Sequence, residues 1–403
     1  MLENKNIDVV MIGLGYIGLP TAALIASKKI NVLGIDVNKN VVDTINRGEI
    51  HIVEPKLDKL VKQVVTDGYL KAENKPKKAG VYLIAVPTPF KGDHEPDIAY
   101  VEAATRNLIP TLTKGALVII ESTSPVGTTD KMLEIIFAER PELKGEIYMA
   151  FCPERVLPGN VIYELEHNDR AIGGINKVST EKAVEFYSQF VTGKLHKTNA
   201  KTAELTKLVE NASRDVQIAF ANELSMICDK ADINVWELIN LANKHPRVNI
   251  LQPGTGVGGH CIAVDPWFIV SEFPKEAKII RAAREINNYK TQWVIEKIKN
   301  KALHFKINNG REPIIACLGL AFKPNIDDLR ESPALFVAQA LIQDDFNVLT
   351  VEPNINNHNI FDIVKVDEAI KKADIITVLV GHKEFSVLKI DDKVVLDFVN
   401  SLK

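Results

Sequence analysis

Residues 7–36, IDVVMIGLGYIGLPTAALIASKKINVLGID, pass from an apolar strand pattern through three spaced glycines into a helical pattern, then into a second strand. Few folds accept that order. A strand, a glycine turn, a helix and a further strand form a βαβ unit, whose sheet is covered by helices and whose strands read as continuous apolar runs. Gly13, Gly15 and Gly18 stand in the order G-x-G-x-x-G, and Asp36 closes the second strand 18 residues after Gly18. Glycines so placed permit a tight turn and let a pyrophosphate approach a helix N-terminus, where amides and dipole favour an anion.

An acid at position 36 suits the hydroxyls of a ribose, and with no arginine directly after it NAD is favoured over NADP. The strand-helix alternation continues through VYLIAVPTP and ALVIIESTSPVGTT to GEIYMAFCPERV and DRAIGG. From about 200 the texture changes. KTAELTKLVENASRDVQIAFANELSMICDKADI holds apolar residues at helical spacing without proline, with Leu205, Leu208, Ala212, Val216, Phe220 and Leu224 on one broad face. AKIIRAAREINNYKTQWVIEKIKNKAL predicts another long helix. Strand patterns then return, and FNVLTVEPN (346–354) echoes INVLGIDVN (30–38). The expected fold is α/β, with two Rossmann-like parallel-sheet domains joined by a helical middle domain with a long spine helix. The boundaries expected are 1–195 for NAD binding, 196–305 for the helical part and 306–403 for the second Rossmann-like domain.

A net charge of −3 and the lack of a long basic run argue against a nucleic-acid partner. No stretch approaches the roughly 18 uncharged apolar residues of a membrane span. The opening MLENKNIDVV leads straight into a strand, so no secretory leader is expected. Cys152, Cys228, Cys261 and Cys317 are scattered with no CxxC pair, which speaks against zinc and disulfides and for a reducing cytoplasm. No metal is expected.

Cys261 stands in GVGGHCIAVDPW, behind Gly256, Gly258 and Gly259 and four residues ahead of Asp265. Taken alone, the stretch fits an inert cysteine in a tight turn as well as a reactive thiol. Lys207 and Asn211, one turn apart on the predicted long helix, share a face. A dinucleotide fold, then Lys-x-x-x-Asn, then Gly-Gly-x-Cys-x-x-x-Asp, then GLAFK with a downstream arginine resembles the nucleotide-sugar 6-dehydrogenases along essentially the whole chain. Within that family two positions depart from the UDP-glucose branch: Pro158 stands where a second glutamate is usual, and Val264 where a lysine usually precedes Asp265. PERVLPG and NKHPRVNILQPG also point to a relative acting on an N-acetylated UDP-hexosamine.

The resemblance implies oxidation of a C6 alcohol to a carboxylate by two hydride transfers to NAD, with Cys261 holding the sugar as a thiohemiacetal and then a thioester. Glycines around the thiol are expected to admit the sugar carbon. Lys207 and Asn211 would stabilise the sugar oxyanion, while Asp265 and Glu154 are the candidate bases. Thr123 would lie near cofactor and catalytic water. Gly13, Gly15, Tyr16, Ile17, Gly18, Asp36, Thr88 and Thr123 are the cofactor candidates. Arg155, Lys207, Asn211, His245, Arg247, Asn249, Gly258, Lys323 and Arg330 are the substrate candidates, with Arg247 reaching the site of a neighbouring subunit in a homodimer or larger assembly. His260, beside the thiol, is read as a loop residue. Two rival readings stay open: a one-hydride hydroxyacid dehydrogenase, and a nucleotide-sensing protein without turnover.

Overall fold

Val9–Ile12 (β1), Val32–Ile35 (β2) and, further on, Leu117–Ile120 are buried at every residue, as strands must be when both faces of their sheet are covered. The computed structural model describes residues 6–92, 95–156, 159–355, 357–390 and 392–402. The chain divides into two units, 1–209 and 210–403.

The first unit is built on an eight-stranded sheet. After β1 and β2 come Leu70–Glu73 (β3), Val81–Ile84 (β4), Leu117–Ile120 (β5), Tyr148–Phe151 (β6), Arg170–Gly174 (β7) and Leu195–Asn199 (β8). The order across the sheet is β8-β7-β6-β5-β4-β1-β2-β3. The chain grows to one side of β1 and then returns to place β4 on the other. Such a reversal leaves a crevice beyond the carboxyl ends of the two strands, where open α/β sheets bind ligands. One pairing departs from the all-parallel expectation: β7 runs antiparallel to β6, with Ala150 opposite Gly174 and Phe151 opposite Gly173. Helices Gly18–Ser27 (α1), Thr128–Glu139 (α2) and Lys177–Tyr187 (α3) belong to this unit. Helix α1 is buried from Gly18 through Ala26.

Helix Ala200–Lys230 (α4) starts where β8 stops, and the division between the units falls within it. The second unit adds Val235–Ala242 (α5), Asp265–Glu272 (α6), Lys278–Asn309 (α7) and Pro333–Gln343 (α8). Its sheet has Ile314–Leu318 (β9), Asn347–Val351 (β10), Ile375–Val378 (β11) and Val394–Asp397 (β12), all parallel in the order β10-β9-β11-β12. Gly319, directly after β9, has φ +90°, and Gly13, directly after β1, has φ +89°. The sequence echo is therefore a repeated turn as well as a repeated strand.

The buried side of α4 differs from the expected apolar face. Leu208 and Ala212 are buried, but Phe220 is 52% exposed. Further along, the buried stripe is polar: Asp215, Asn222 and Ser225. These face α7. Arg284 Nη1 donates to Asp215 Oδ1 at 2.7 Å, Asn287 Nδ2 donates to the same oxygen at 2.8 Å, and Asn222 Nδ2 donates to Asn287 Oδ1 at 2.9 Å. Lys290 Nζ donates to Ser225 Oγ at 2.7 Å and lies 3.8 Å from the Trp293 ring centre. Burial pushes this lysine down to about 7. Apolar periodicity does not mark these polar residues as buried, because their partners lie more than sixty positions away.

Candidate active site

The three glycines of the first turn have two different physical reasons. A Cβ on Gly13 would lie 2.4 Å from the Ala85 carbonyl oxygen, and one on Gly18 would lie 1.8 Å from that of Gly13. Both contacts are with backbone, so no side chain fits. Gly15 has nothing within 4 Å of that position, the open approach that a phosphate needs. Asp36 follows β2 and is held by backbone amides: Oδ2 accepts from Leu14 N at 3.1 Å and Oδ1 from Asn38 N at 2.8 Å. Ile17, the N-cap residue of α1, makes no side-chain cap bond, and Tyr16 beside it is exposed. Thr88 follows β4, Thr123 follows β5, and Glu154 follows β6. The cofactor candidates and Glu154 thus share one edge of the sheet, beyond the carboxyl ends of neighbouring strands. A turn with one unobstructed glycine and a fixed acid at the ribose position fits NAD.

Glu154 is buried, and sequence alone gave it no partner. Arg170 Nη1, at the start of β7, donates to its Oε2 at 3.0 Å, and Arg155 N donates to Oε1 at 2.7 Å. Arg170 Nη2 also holds the Leu165 carbonyl at 3.0 Å. The guanidinium of Arg155 donates to the Asp169 carbonyl. Behind the Glu154–Arg170 pair, the Tyr187 hydroxyl donates to Glu121 Oε1 at 2.6 Å. Burial pushes Glu121 up to about 7, against the nearby Arg170 charge.

That shift has a consequence for stability. A carboxyl raised from about 4.5 to about 7 on folding keeps its proton longer when folded than when unfolded, so its contribution falls as pH rises through that window. Glu121→Gln cannot ionise. Relative to the unmodified protein it should gain on the order of 2–3 kcal/mol between about pH 5 and about pH 8. Denaturant unfolding at the two pH values measures this; an equal difference at both would contradict it.

Of the four cysteines, Cys152, Cys228 and Cys317 are buried, and Cys261 is part-exposed. Burial pushes Cys152 up to about 11 and Cys317 up to about 12, which suppresses their thiolates. The carbonyl of Cys261 accepts from Val264 N at 3.0 Å and Asp265 N at 2.8 Å, a turn that opens α6. Asp265 is 3% exposed, and Asn211 Nδ2 on α4 donates to its Oδ2 at 2.5 Å. Asn211, Asp265 and Cys261 are therefore brought together. Lys207 is half-buried one turn before Asn211 on the same helix.

The glycines of the cysteine loop are crowded by neighbouring protein. A Cβ on Gly256 would lie 2.4 Å from Thr291 Oγ1, one on Gly258 would lie 2.4 Å from the Glu331 carbonyl oxygen, and one on Gly259 would lie 2.8 Å from the Phe322 ring. These glycines make room for protein. Gly259 N donates to the Arg330 carbonyl at 3.0 Å, which ties the loop to the GLAFK segment. In that segment Lys323 is exposed, while the Arg330 guanidinium is forked onto Asp328 at 2.6–3.1 Å.

His245, Arg247 and Asn249 lie on an exposed turn after α5, closed by Asn243, whose side chain bonds both N and O of Ile250. His260 is exposed. Pro158 lies outside the described residues. No group of His, Cys, Asp and Glu among the described residues is arranged to hold a metal ion, and no described helix is long and apolar enough to cross a membrane.

In the second sheet, Glu352 stands after β10 where Asp36 stands after β2, but it is spent inside the protein. It accepts from Leu320 N at 2.8 Å, Ala321 N at 3.0 Å, Asn354 N at 3.0 Å and the His382 ring at 3.0 Å. The His382 contact and these backbone bonds outweigh burial and hold it down at about 2. The echo therefore keeps the acid without leaving it open to a ribose.

Three family models cover nearly the whole chain: the NAD binding domain of the UDP-glucose/GDP-mannose dehydrogenase family over 7–191, its central domain over 201–289 and its UDP binding domain over 316–403. The chain belongs to this family of nucleotide-sugar dehydrogenases. It is 57% identical to the UDP-N-acetyl-D-mannosamine dehydrogenase of Campylobacter jejuni, across 97% of this chain and 99% of that one. It is 51% identical to an NDP-N-acetyl-D-galactosaminuronic acid dehydrogenase of Ralstonia nicotianae, across 98% and 96%. Among solved structures, a UDP-D-ManNAc dehydrogenase from Pyrococcus horikoshii superimposes with a TM-score of 0.88 at 39% identity, covering 98% of this chain and 96% of that one.

Proposed function

We propose that the chain oxidises C6 of UDP-N-acetyl-D-mannosamine to the uronate in the cytoplasm, as a step in making a bacterial surface polysaccharide. NAD is held on residues 1–195, the catalytic cysteine loop lies on 196–305, and the UDP moiety is held on 306–403. The single observation that carries the reading is the part-exposed Cys261 set beside a buried Asp265 that Asn211 orients.

Bound NAD supplies the hydride acceptor for each oxidation. Asp265 or Glu154 accepts the C6 hydroxyl proton, Lys207 and Asn211 stabilise the alkoxide so formed, and that charge collapses into the carbonyl as the C6 hydride is given up. The Cys261 thiolate adds to the resulting aldehyde, giving a thiohemiacetal that stays aligned for the second oxidation. The thioester so formed is opened by water, and the thiolate leaves with the sulfur's electron pair. Asp265 or Glu154 accepts the proton of that water. Thr123 lies at the cofactor edge; Arg155, His245, Arg247, Asn249, Gly258, Lys323 and Arg330 hold the nucleotide sugar.

The N-acetyl preference is supported by Val264 and Pro158 in place of charged residues and by the Campylobacter relative. UDP-N-acetylglucosamine is the second candidate. A one-hydride hydroxyacid dehydrogenase has no use for the UDP-binding domain, and a passive sensor has none for a lysine, cysteine and aspartate set for chemistry. Across a panel of UDP-sugars, kcat/KM should be highest with UDP-N-acetylmannosamine; a higher value with UDP-glucose would overturn the assignment.

We infer at least a homodimer formed along α4. Val209, Phe220 and Ile227 are exposed on it at spacings that return to one face, and a large exposed apolar stripe marks an interaction surface. Arg247, exposed on its turn, then reaches the neighbouring subunit's substrate. Light scattering should give a dimer or larger species; a monomer fully active at nanomolar concentration would contradict this.

A further inference from the structure

Glu204 is wholly buried in the first turns of α4, three residues ahead of Lys207, and among the described residues it forms no salt bridge. Its Oε2 accepts from Gly127 N at 2.6 Å, and its Oε1 accepts from Thr129 N at 2.7 Å and Thr129 Oγ1 at 2.6 Å. Those donors form the N-terminus of α2. The N-cap there is Gly127, at φ +88°, which has no side chain with which to cap. The first amides of a helix have no partner within it, and a carboxylate at that end is favoured by the dipole as well. Glu204 supplies the missing cap from another helix. Burial pushes its pKa up while the three hydrogen bonds oppose that rise.

The cap joins two parts of the candidate site. Thr123 lies four residues before Gly127, in the segment that leads from β5 into α2, and Lys207 lies on the next turn of the helix that carries Glu204. Rotation or sliding of α4 against α2 would have to break all three bonds. We propose that Glu204 is a positioning residue that fixes the Lys207 ammonium relative to the Thr123 segment, so that oxyanion stabilisation and cofactor stay in register. This rests on the reading of Lys207 as the group that stabilises charge on the sugar oxygen.

The test is a double-mutant cycle on the full chain, read as the single-turnover rate of the first hydride transfer at saturating NAD and UDP-N-acetylmannosamine. Glu204→Gln keeps the shape but turns an amide towards the N–H donors. It should slow hydride transfer by roughly tenfold to a hundredfold, as a small misplacement does, with little change in the sugar's KM. In a Lys207→Ala background the same change should cost less than about twofold, because its effect runs through the lysine. If Glu204→Gln does not fold, Thr129→Val removes one of the three bonds and should show a smaller loss with the same dependence on Lys207. Equal costs in both backgrounds, or no loss in the unmodified one, would overturn the proposal. The Lys207→Ala variant separates the two readings. If it is itself unimpaired, both fall; if it is slow while Glu204→Gln is fast, only the positioning role falls.

Discussion

Cys261→Ala is expected to abolish formation of the uronic acid while leaving a weak first hydride transfer. The three other cysteines are buried, and two of them have thiols raised to about 11 and about 12, so none can substitute as nucleophile. Oxidation of the alcohol needs no sulfur, whereas the second oxidation needs the aldehyde held as a covalent adduct. Without the thiol the aldehyde is free to hydrate and leave. Cys261→Ser is expected to stall as a bound adduct, since an alkoxide leaves less readily than a thiolate. Mass analysis of the intact protein during a single turnover reads each case. A Cys261→Ala enzyme that makes the acid at a near-native rate would end the covalent mechanism.

Replacing Lys207 with alanine should damage both oxidations, because negative charge develops on the sugar oxygen in each. Loss of one well-placed donor costs about 3 kcal/mol, roughly a hundredfold in rate or more. Asn211 does not make up the loss: one of its two amide hydrogens is held by Asp265, and the other is a neutral donor that does not replace the ammonium charge. Rapid-mixing measurement of the two NADH phases reads the effect. A variant slowed in only one phase would confine Lys207 to that step.

The dinucleotide half was legible because its constraints are on backbone. Gly13 and Gly18 exclude any Cβ through contacts with main-chain atoms, and such requirements leave glycine at fixed spacing whatever surrounds them. The repeat of that unit was legible through the echoed strand that closes on the acid at 352, and Gly319 keeps the positive φ of the first turn. Strand direction was not: RAIGG reads equally well in either sense, and β7 turned out antiparallel to β6. The polar stripe of α4 was hidden because Asp215, Asn222 and Ser225 resemble solvated positions until Arg284, Asn287 and Lys290 are placed opposite them. Removing one partner of a buried pair such as Arg284–Asp215 costs roughly 3–5 kcal/mol, so these residues are structural, not incidental. Cys261, Asp265 and Asn211 were found through motif resemblance. Arg170 behind Glu154, and Glu204 of α4 as the cap of α2, were missed because each acts across at least sixteen residues with no motif to mark it.

The measurement that bears most directly on the function is the number of NADH formed for each UDP-N-acetylmannosamine consumed in the presence of excess NAD. The product is identified by mass spectrometry. A covalent four-electron oxidation predicts two NADH per sugar, a carboxylate product and little free aldehyde. One NADH per sugar with an aldehyde or ketone released, or no NADH with any nucleotide sugar, would contradict it.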